Sequence, residues 1–280
     1  MERRIRAAQL TAFRCRLWEE ERGSATIEKY LREVRAFSAW LGDQPLTKEQ
    51  VFRWKDHLAV CGHQPATING KLAALNKFFG FLGWKDLPVR YLRIQRRLFR
   101  STERELTREE YSRLLDTAWD LGRVRLALLL ETICATGIRV SEVPYITVEA
   151  IRSGRAEITL KGKIRTILLP GKLCRKLQKY AGKRKITSGE IFLTRSGRGL
   201  SRRQIWAEMK SLCARAGVAA SKVFPHNLRH LFARTFYRAC RDVAKLADML
   251  GHSSIETTRL YLISTGTEHA RQLERLGLVT

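Results

Sequence analysis

Along most of the chain, apolar positions recur at helical spacing and almost nowhere at the spacing of two that marks a half-buried strand. From Ser24 to Leu41 the set Ile27, Tyr30, Leu31, Val34, Phe37 and Leu41 makes one stripe, closed by Gly42, a residue that ends helices because it enters the left-handed region without strain. Thr47-x-x-Gln50 has the form of a capping box and predicts a helix through Cys61, followed by Gly62. Thr67 starts a third helix with Ile68, Leu72, Leu75, Phe78, Phe79 and Leu82 inward. The first 22 residues are basic and weakly patterned, an arm or a short first helix. No strand signal interrupts this region, so it predicts a small all-α domain.

The second half keeps the helical period with one exception. Thr107-x-x-Glu110 caps a helix bearing Tyr111, Leu114, Leu115 and Trp119. A strongly apolar helix from Leu126 to Ala135 ends at Gly137 and leaves Arg139 just past its C-terminus. The exception lies between Ser153-Gly154 and Leu169, where Ile158-Thr159-Leu160 and Ile164 to Leu169 flank Lys161-Gly162-Lys163. This pattern predicts a three-stranded antiparallel sheet with a lysine-glycine-lysine tip on its second hairpin. Helices follow at 171–182 and, after Ser201-x-x-Gln204, at 202–216.

The last part reads as three short helices: one carrying Leu228, Leu231, Phe232 and Phe236, one carrying Val243, Leu246, Ala247 and Leu250, and one carrying Tyr261. Gly251 stands where the second would end, and Ser253-x-x-Glu256 has the form of the box that starts the third. A helix-like segment, Glu268 to Leu276, closes the chain. The expected fold class is mainly α with a small antiparallel β-sheet, in two domains, 1–98 and 99–280, with a linker near residues 96–105.

Charge narrows the partners. The 280 residues hold 53 Lys and Arg against 27 Asp and Glu, a formal net charge of +26. Such an excess opposes compaction unless a polyanion offsets it, and nucleic acid is the obvious one. Lys71 and Lys77 fall on the polar side of the third helix and suit phosphate contacts, as do Arg202 and Arg203. The segment from Arg90 to Arg100 includes Arg93, Arg96, Arg97 and Arg100, and a linker crossing a duplex explains those arginines. The six cysteines form no C-x-x-C pair and have no ligand-spaced histidines. They read as reduced core residues of a cytoplasmic protein, with neither disulfide nor zinc expected. The N-terminus lacks a signal-peptide pattern, and the longest apolar run, Leu126 to Leu130, is too short to span a bilayer. No membrane partner is expected. No nucleotide-binding loop and no acidic metal cluster appear in the sequence, which agrees with a reaction free of both.

The candidate chemistry is concentrated late in the chain. His226 and Arg229 share a helix face at i, i+3 spacing, His252 falls on the turn after Gly251, and Tyr261 projects from the next helix. Two imidazoles, a guanidinium and a phenol suit work on a phosphodiester, an anion that must be neutralised, attacked and relieved of its leaving oxygen. Arg139 and Arg229 can each clamp non-bridging oxygens with paired donors. Tyr261 is a candidate nucleophile. His226 is a candidate base, and His252 a donor to a non-bridging oxygen. Glu142, three residues after Arg139, can hold that arginine or His226 in register. Taken singly, Tyr261 could be a half-buried core tyrosine and His252 a turn residue. His230, His57, His63 and His269 are read as structural.

Together these blocks resemble the tyrosine recombinase (phage integrase) family. Pro225-His226-Asn227-Leu228-Arg229-His230 and Leu250-Gly251-His252 through Thr258 and Tyr261 reproduce its H-x-x-R and L-G-H-x-x-x-x-x-T-x-x-Y patterns. Thr136-Gly137-Ile138-Arg139-Val140-Ser141-Glu142 is similar to its first-arginine block, T-G-x-R-x-S-E. The resemblance spans essentially the whole chain. It implies a SAM-like helical core-binding domain followed by a catalytic domain, forming a C-shaped clamp on duplex DNA. It implies a site-specific recombinase or integrase of simple Xer or mobile-element type, working through a 3′-phosphotyrosine without ATP or metal. The implied partners are double-stranded recombination sites, a homotetramer on synapsed DNA and, as an optional accessory, a directionality factor. A type IB topoisomerase shares the chemistry, and a silent DNA-binding protein could share the fold. One departure stands out: the family's hairpin G-K-G-x-K is here Leu160-Lys161-Gly162-Lys163, one residue shorter. Lys161 is the preferred acid for the departing 5′ oxygen, and Lys163 is the alternative.

Overall fold

A computed structural model describes residues 3–94, 102–160, 163–262 and 274–275. Two compact units divide the chain, Met1–Arg96 and Arg97–Thr280.

The first unit is four helices: α1 (Ala7–Glu19), α2 (Ser24–Leu41), α3 (Lys48–Val60) and α4 (Pro65–Phe81). The basic N-terminal stretch is thus mostly a true helix, which buries Phe13 and Leu17. α4 starts two residues before Thr67, because Pro65 occupies the first-turn position where a missing N–H costs nothing. The helices close over one aromatic-rich core in which Phe13 meets Phe78 edge-on at 5.1 Å and Phe37 meets Trp54 at 5.8 Å. The chain leaving α4 is strapped back along it. Asn76 exchanges both of its amide groups with the backbone of Val89 (3.2 and 3.0 Å), and Asn69 does the same with Leu92 (2.8 and 2.9 Å). Two asparagines two turns apart thereby satisfy a segment that belongs to no sheet.

The second unit packs α5 (Arg108–Asp120), α8 (Gly171–Lys183) and α11 (Pro225–Cys240) against the apolar α6 (Val124–Thr136), with α7 (Val148–Ser153) on α8, α10 (Cys213–Ala216) on α5, and α9 (Arg202–Lys210) adding Ile205 and Met209 to the same core. α12 (Val243–Leu250) and α13 (Ile255–Leu262) then form a smaller cluster with α11 around Phe232, Leu246, Leu250 and Tyr261. Residues 102–106, the end of the expected linker, are docked on this unit. Leu106 is buried, the Arg104 carbonyl accepts from Asn227 at 2.7 Å, and Arg234 pairs with Glu105.

Several expectations need correction. Among the described residues the sheet has two strands, β1 (Arg155–Leu160) and β2 (Lys163–Leu168), paired antiparallel, not three. Where a first strand was expected stands α7, capped by the Thr147 hydroxyl, which accepts from the Ala150 N–H at 3.1 Å. The Ser153-Gly154 turn is the left-handed end of that helix. The single helix expected at 202–216 breaks after Lys210, where the Ser211 hydroxyl donates to the Glu208 carbonyl at 2.7 Å. α13 begins at Ile255, so Ser254 precedes it and the Ser253–Glu256 box is out of register by one. Of the six cysteines, all free, Cys15, Cys61 and Cys240 are exposed, so only part of the set belongs to the core. Burial pushes the Cys134 thiol up to about 12, as expected for an inert thiol. The run Gln95 to Arg100, with Arg96, Arg97 and Arg100, lies outside the described residues, as do Lys161 and the closing segment except residues 274–275. No helix among the described residues is long and apolar enough to cross a membrane.

Candidate active site

The site is assembled where three chain reversals meet. α6 ends on Gly137 in the left-handed region (φ 65°), and a Cβ there would lie 2.4 Å from the Phe232 ring of α11. Only glycine fits both the turn and the approach. Two residues later Arg139 opens a 3-10 turn, Val140–Tyr145, whose third residue is Glu142. The buried Glu142 carboxylate accepts from the Arg139 backbone N–H and from its Nη1, each at 2.8 Å. The R-x-x-E spacing therefore fixes both ends of Arg139 locally, and 41% of the arginine side chain stays exposed.

Arg229, on α11, is 1% exposed, an unusual place for a cation. Its guanidinium donates to the Gly137 carbonyl and, at 2.8 Å, to the Leu250 carbonyl. Burial, then the charge of Arg139, holds its pKa below the ordinary arginine value, while the Tyr261 hydroxyl and Glu142 oppose that shift. Arg165, on β2, reaches the same place. It donates to both Glu142 oxygens at 3.3 Å and to the Met249 carbonyl at 2.7 Å. Arg139 Nη2 completes the set with the Gly251 carbonyl at 3.4 Å. Three consecutive carbonyls at the end of α12 thus each receive a different arginine. These are orphan acceptors of a helix C-terminus, where the dipole favours cations.

The charge balance has a direction. Arg139, Arg165 and Arg229 surround the single carboxylate of Glu142. The Nε groups of Arg165 and Arg229 are buried with no hydrogen-bond partner. Like charges held in a low-dielectric place are costly, and an arriving anion relieves that cost.

His252 follows on the turn. Its Nε2 lies 2.9 Å from Arg229 Nη2, and its Nδ1 lies 2.8 Å from Thr258 Oγ1. A guanidinium only donates, so Nε2 accepts and Nδ1 carries the proton toward Thr258. Burial first, then Arg229, Arg139, Arg165 and His226, pushes the His252 pKa down to about 4, which keeps the ring neutral. The expected donation from His252 to a phosphate oxygen is therefore not set up in this state, because Nε2 is already an acceptor.

Tyr261 is 6% exposed and sits among imidazoles. Its ring centroid lies 4.2 Å from His230, 5.3 Å from His252 and 5.5 Å from His226. His226 and His230, one turn apart on α11, meet edge to face at 4.5 Å. The geometry thus brings Arg139, Glu142, His226, Arg229, His252 and Tyr261 into one cluster. Lys163 begins β2, two residues before Arg165.

Sequence reasoning gave no site role to three neighbours: Arg165, Thr258 and His230. For Arg165 a signal existed, since it shares the parity of Ile167 and Leu169, both buried, and a charge on the inward face of a strand is informative. His230 was read as structural, yet its ring is nearer to Tyr261 than the rings of His226 and His252. His57, by contrast, packs on Trp40 and Trp54 as a structural residue does.

The expected DNA contacts are less uniform. Arg93, Arg202 and Arg203 are exposed. Lys71 is tied to the buried Glu33 at 2.6 Å and Lys77 to Glu20 at 2.8 Å, so neither ammonium is idle.

Comparison with known proteins assigns the chain to a family. The sequence model of the phage integrase family matches residues 104–267, and that of the phage integrase N-terminal SAM-like domain matches residues 10–86. Tyrosine recombinase XerD of Brucella suis biovar 1 is 32% identical over 272 residues, covering 86% of this chain and 88% of that protein. Tyrosine recombinase XerA of Thermococcus kodakarensis is 30% identical, covering 91% and 90%. Among solved structures, a lambda integrase tetramer bound to a Holliday junction superposes with a TM-score of 0.74 at 18% identity, covering 91% of this chain and 76% of that one. XerH bound to its difH substrate in a pre-cleavage complex gives 0.69 at 19% identity, covering 95% and 84%. The chain belongs to the phage integrase family of tyrosine recombinases.

Proposed function

We propose that this tyrosine recombinase cuts and rejoins duplex DNA at specific sites, with Tyr261 as nucleophile. The observation that carries the reading is the placement of the Tyr261 phenol against Arg229 and among three imidazoles, beside a cluster of guanidiniums that outnumbers its carboxylates.

In the proposed step the Tyr261 oxygen attacks phosphorus and gives up its proton to His226. The bond from phosphorus to the 5′ oxygen breaks, and that oxygen takes a proton from the hairpin lysine, Lys161 or Lys163. Arg139 and Arg229 hold the non-bridging oxygens. Glu142 keeps Arg139 oriented, and neutral His252 orients Arg229 through Nε2. The product is a 3′-phosphotyrosine and a free 5′ hydroxyl. The ester retains the bond energy, so a second strand can reverse the step without ATP.

DNA is the partner that the charge excess favours. The DNA-bound lambda integrase and XerH structures support a site-specific duplex substrate, and the Holliday-junction tetramer supports assembly as a homotetramer. The helical first unit, residues 1–98 in this reading, would grip the core of the site. Arg93, Arg96, Arg97, Arg100, Arg202 and Arg203 would neutralise phosphates, and Lys71 and Lys77 would do so in exchange for Glu33 and Glu20.

Tyr261→Phe tests the reading. The ring still packs while the nucleophile is gone, so the variant should bind its site and form no covalent adduct on a nicked suicide substrate. Adducts at the wild-type level would remove Tyr261 from the mechanism.

A further inference from the structure

We propose that Arg165 is a positioning residue for strand transfer, locking the β-hairpin, the Glu142–Arg139 pair and the Gly251–His252 turn into one register. It contacts the site through a carboxylate and a carbonyl, so its action is indirect. The proposal rests on the reading of Tyr261 as nucleophile.

The geometry is that of a three-way tie. Arg165 lies in the middle of β2, and 12% of its side chain is exposed. Nη1 spans both oxygens of Glu142, the same carboxylate that holds Arg139. Nη2 holds the Met249 carbonyl, three residues before His252. The stem fills the space beside Gly251, where a Cβ would lie 2.3 Å from Arg165 Cδ. Gly251 also has φ 61°, so the turn needs glycine twice, once for its backbone and once for the arginine lying against it.

Burial lowers the Arg165 pKa to about 10, with Glu142 opposing and Arg229 and Arg139 reinforcing the shift. The group therefore stays charged at neutral pH. A largely covered cation this close to two others is a costly way to fill space, and an apolar residue at this strand position would pack without that cost. What the guanidinium supplies is direction: two donors at a fixed angle hold a carboxylate and a helix end at once.

Lysine cannot do this, because its single ammonium is a point charge that reaches one partner well. The two candidate acids, Lys161 and Lys163, stand four and two residues before Arg165. The strand that begins at Lys163 is therefore anchored to the turn that carries His252 and to the carboxylate that orients Arg139. Loosening such an anchor displaces reacting groups, and a displacement of about 1 Å can cost on the order of a hundredfold in rate.

The test uses the full-length chain with Arg165→Met, Arg165→Lys, Glu142→Gln and the Arg165→Met, Glu142→Gln double variant. Site affinity is read by titration, and the single-turnover adduct rate is read on a saturating nicked duplex. Arg165→Met should leave the affinity unchanged and slow adduct formation by about a hundredfold. Arg165→Lys should recover little of the rate. The double variant should be no slower than the slower single one, because both changes break the same tie.

A wild-type rate in either folded Arg165 variant overturns the proposal. So does a parallel fall in affinity and rate, which would make Arg165 a DNA contact, and so do additive effects in the double variant. If Arg165→Met does not fold, the lysine variant decides alone. Tyr261→Phe runs beside them, and adducts surviving there would count against the nucleophile and not against Arg165.

Discussion

The two units handle buried charge in opposite ways. In the first, the core is aromatic and aliphatic, and the one buried carboxylate among its described residues, Glu33, is paired with Lys71 at 2.6 Å and Arg32 at 2.7 Å. Desolvation raises the Glu33 pKa, but those two partners outweigh it and the net shift is downward. This charge is fully answered within the unit. In the second, Arg229 and Glu142 are buried beside a largely covered Arg165, with cations in excess, and two Nε groups are left without partners. A fold that needed only stability would not concentrate unanswered positive charge at a helix end. The difference separates a charge that holds a structure together from charges that wait for a ligand.

Removing a two-pronged clamp from the second unit, with its charge kept, is the most disruptive way to probe that contrast. Arg229→Lys should slow covalent adduct formation by about a hundredfold to a thousandfold, because one ammonium replaces a two-pronged clamp. It should also lower stability, since one ammonium nitrogen replaces the two guanidinium nitrogens that separately serve the Gly137 and Leu250 carbonyls, and a buried unpaired acceptor costs about 1–3 kcal/mol. Adduct kinetics with denaturant unfolding checks both. A variant that loses stability but keeps its rate would make Arg229 a structural cap like Glu33's partners.

The converse experiment acts on the first unit. Glu33→Gln should weaken hydrogen-exchange protection of α2 and α4 by about 1–3 kcal/mol while leaving the adduct rate on saturating DNA unchanged. A rate that falls with it would tie the two units more closely than their separate cores suggest.

The last contrast is in the pH dependence of stability, where the two units also differ. His252 has a folded pKa of about 4 against an ordinary 6.5. Between those values the unfolded chain binds the extra proton, so its contribution is complete above pH 6.5 and is lost as the pH falls toward 4. Glu33, with its pKa lowered from 4.5, contributes fully above that value and loses its contribution only below it. His252→Gln should therefore flatten the decline of the second unit between pH 6.5 and 4 and leave the first unit alone. An unchanged slope, followed by hydrogen exchange over that range, would show that His252 is not buried neutral.

The elements were largely legible in the sequence because helices announce themselves through local spacing. The stripe from Ile27 to Leu41 and the Thr107–Glu110 box read directly into α2 and α5. The misreadings occurred where a local signal had a local competitor. Thr147 caps a six-residue helix in a place patterned for a strand, and Ser211 draws the Glu208 carbonyl out of a helix that its periodicity would have continued.

For the site, the sequence by itself determined which groups are present and how each is offered to the rest. Arg139 comes just past a helix end with Glu142 three residues on, His226 and Arg229 share a face, and His252 stands on a glycine turn ahead of Tyr261. These placements depend on turns and caps only a few residues long. Only the tertiary structure decided which groups answer one another. Arg165 reaches Glu142 across 23 residues and Met249 across 84, Arg229 holds carbonyls 92 and 21 residues away, and His230 turns out to flank the phenol. Such partnerships follow from how α6, α11, α12 and β2 converge on the end of α12. Local periodicity carries no information about that convergence, because it is fixed by the packing of faces far apart in the chain.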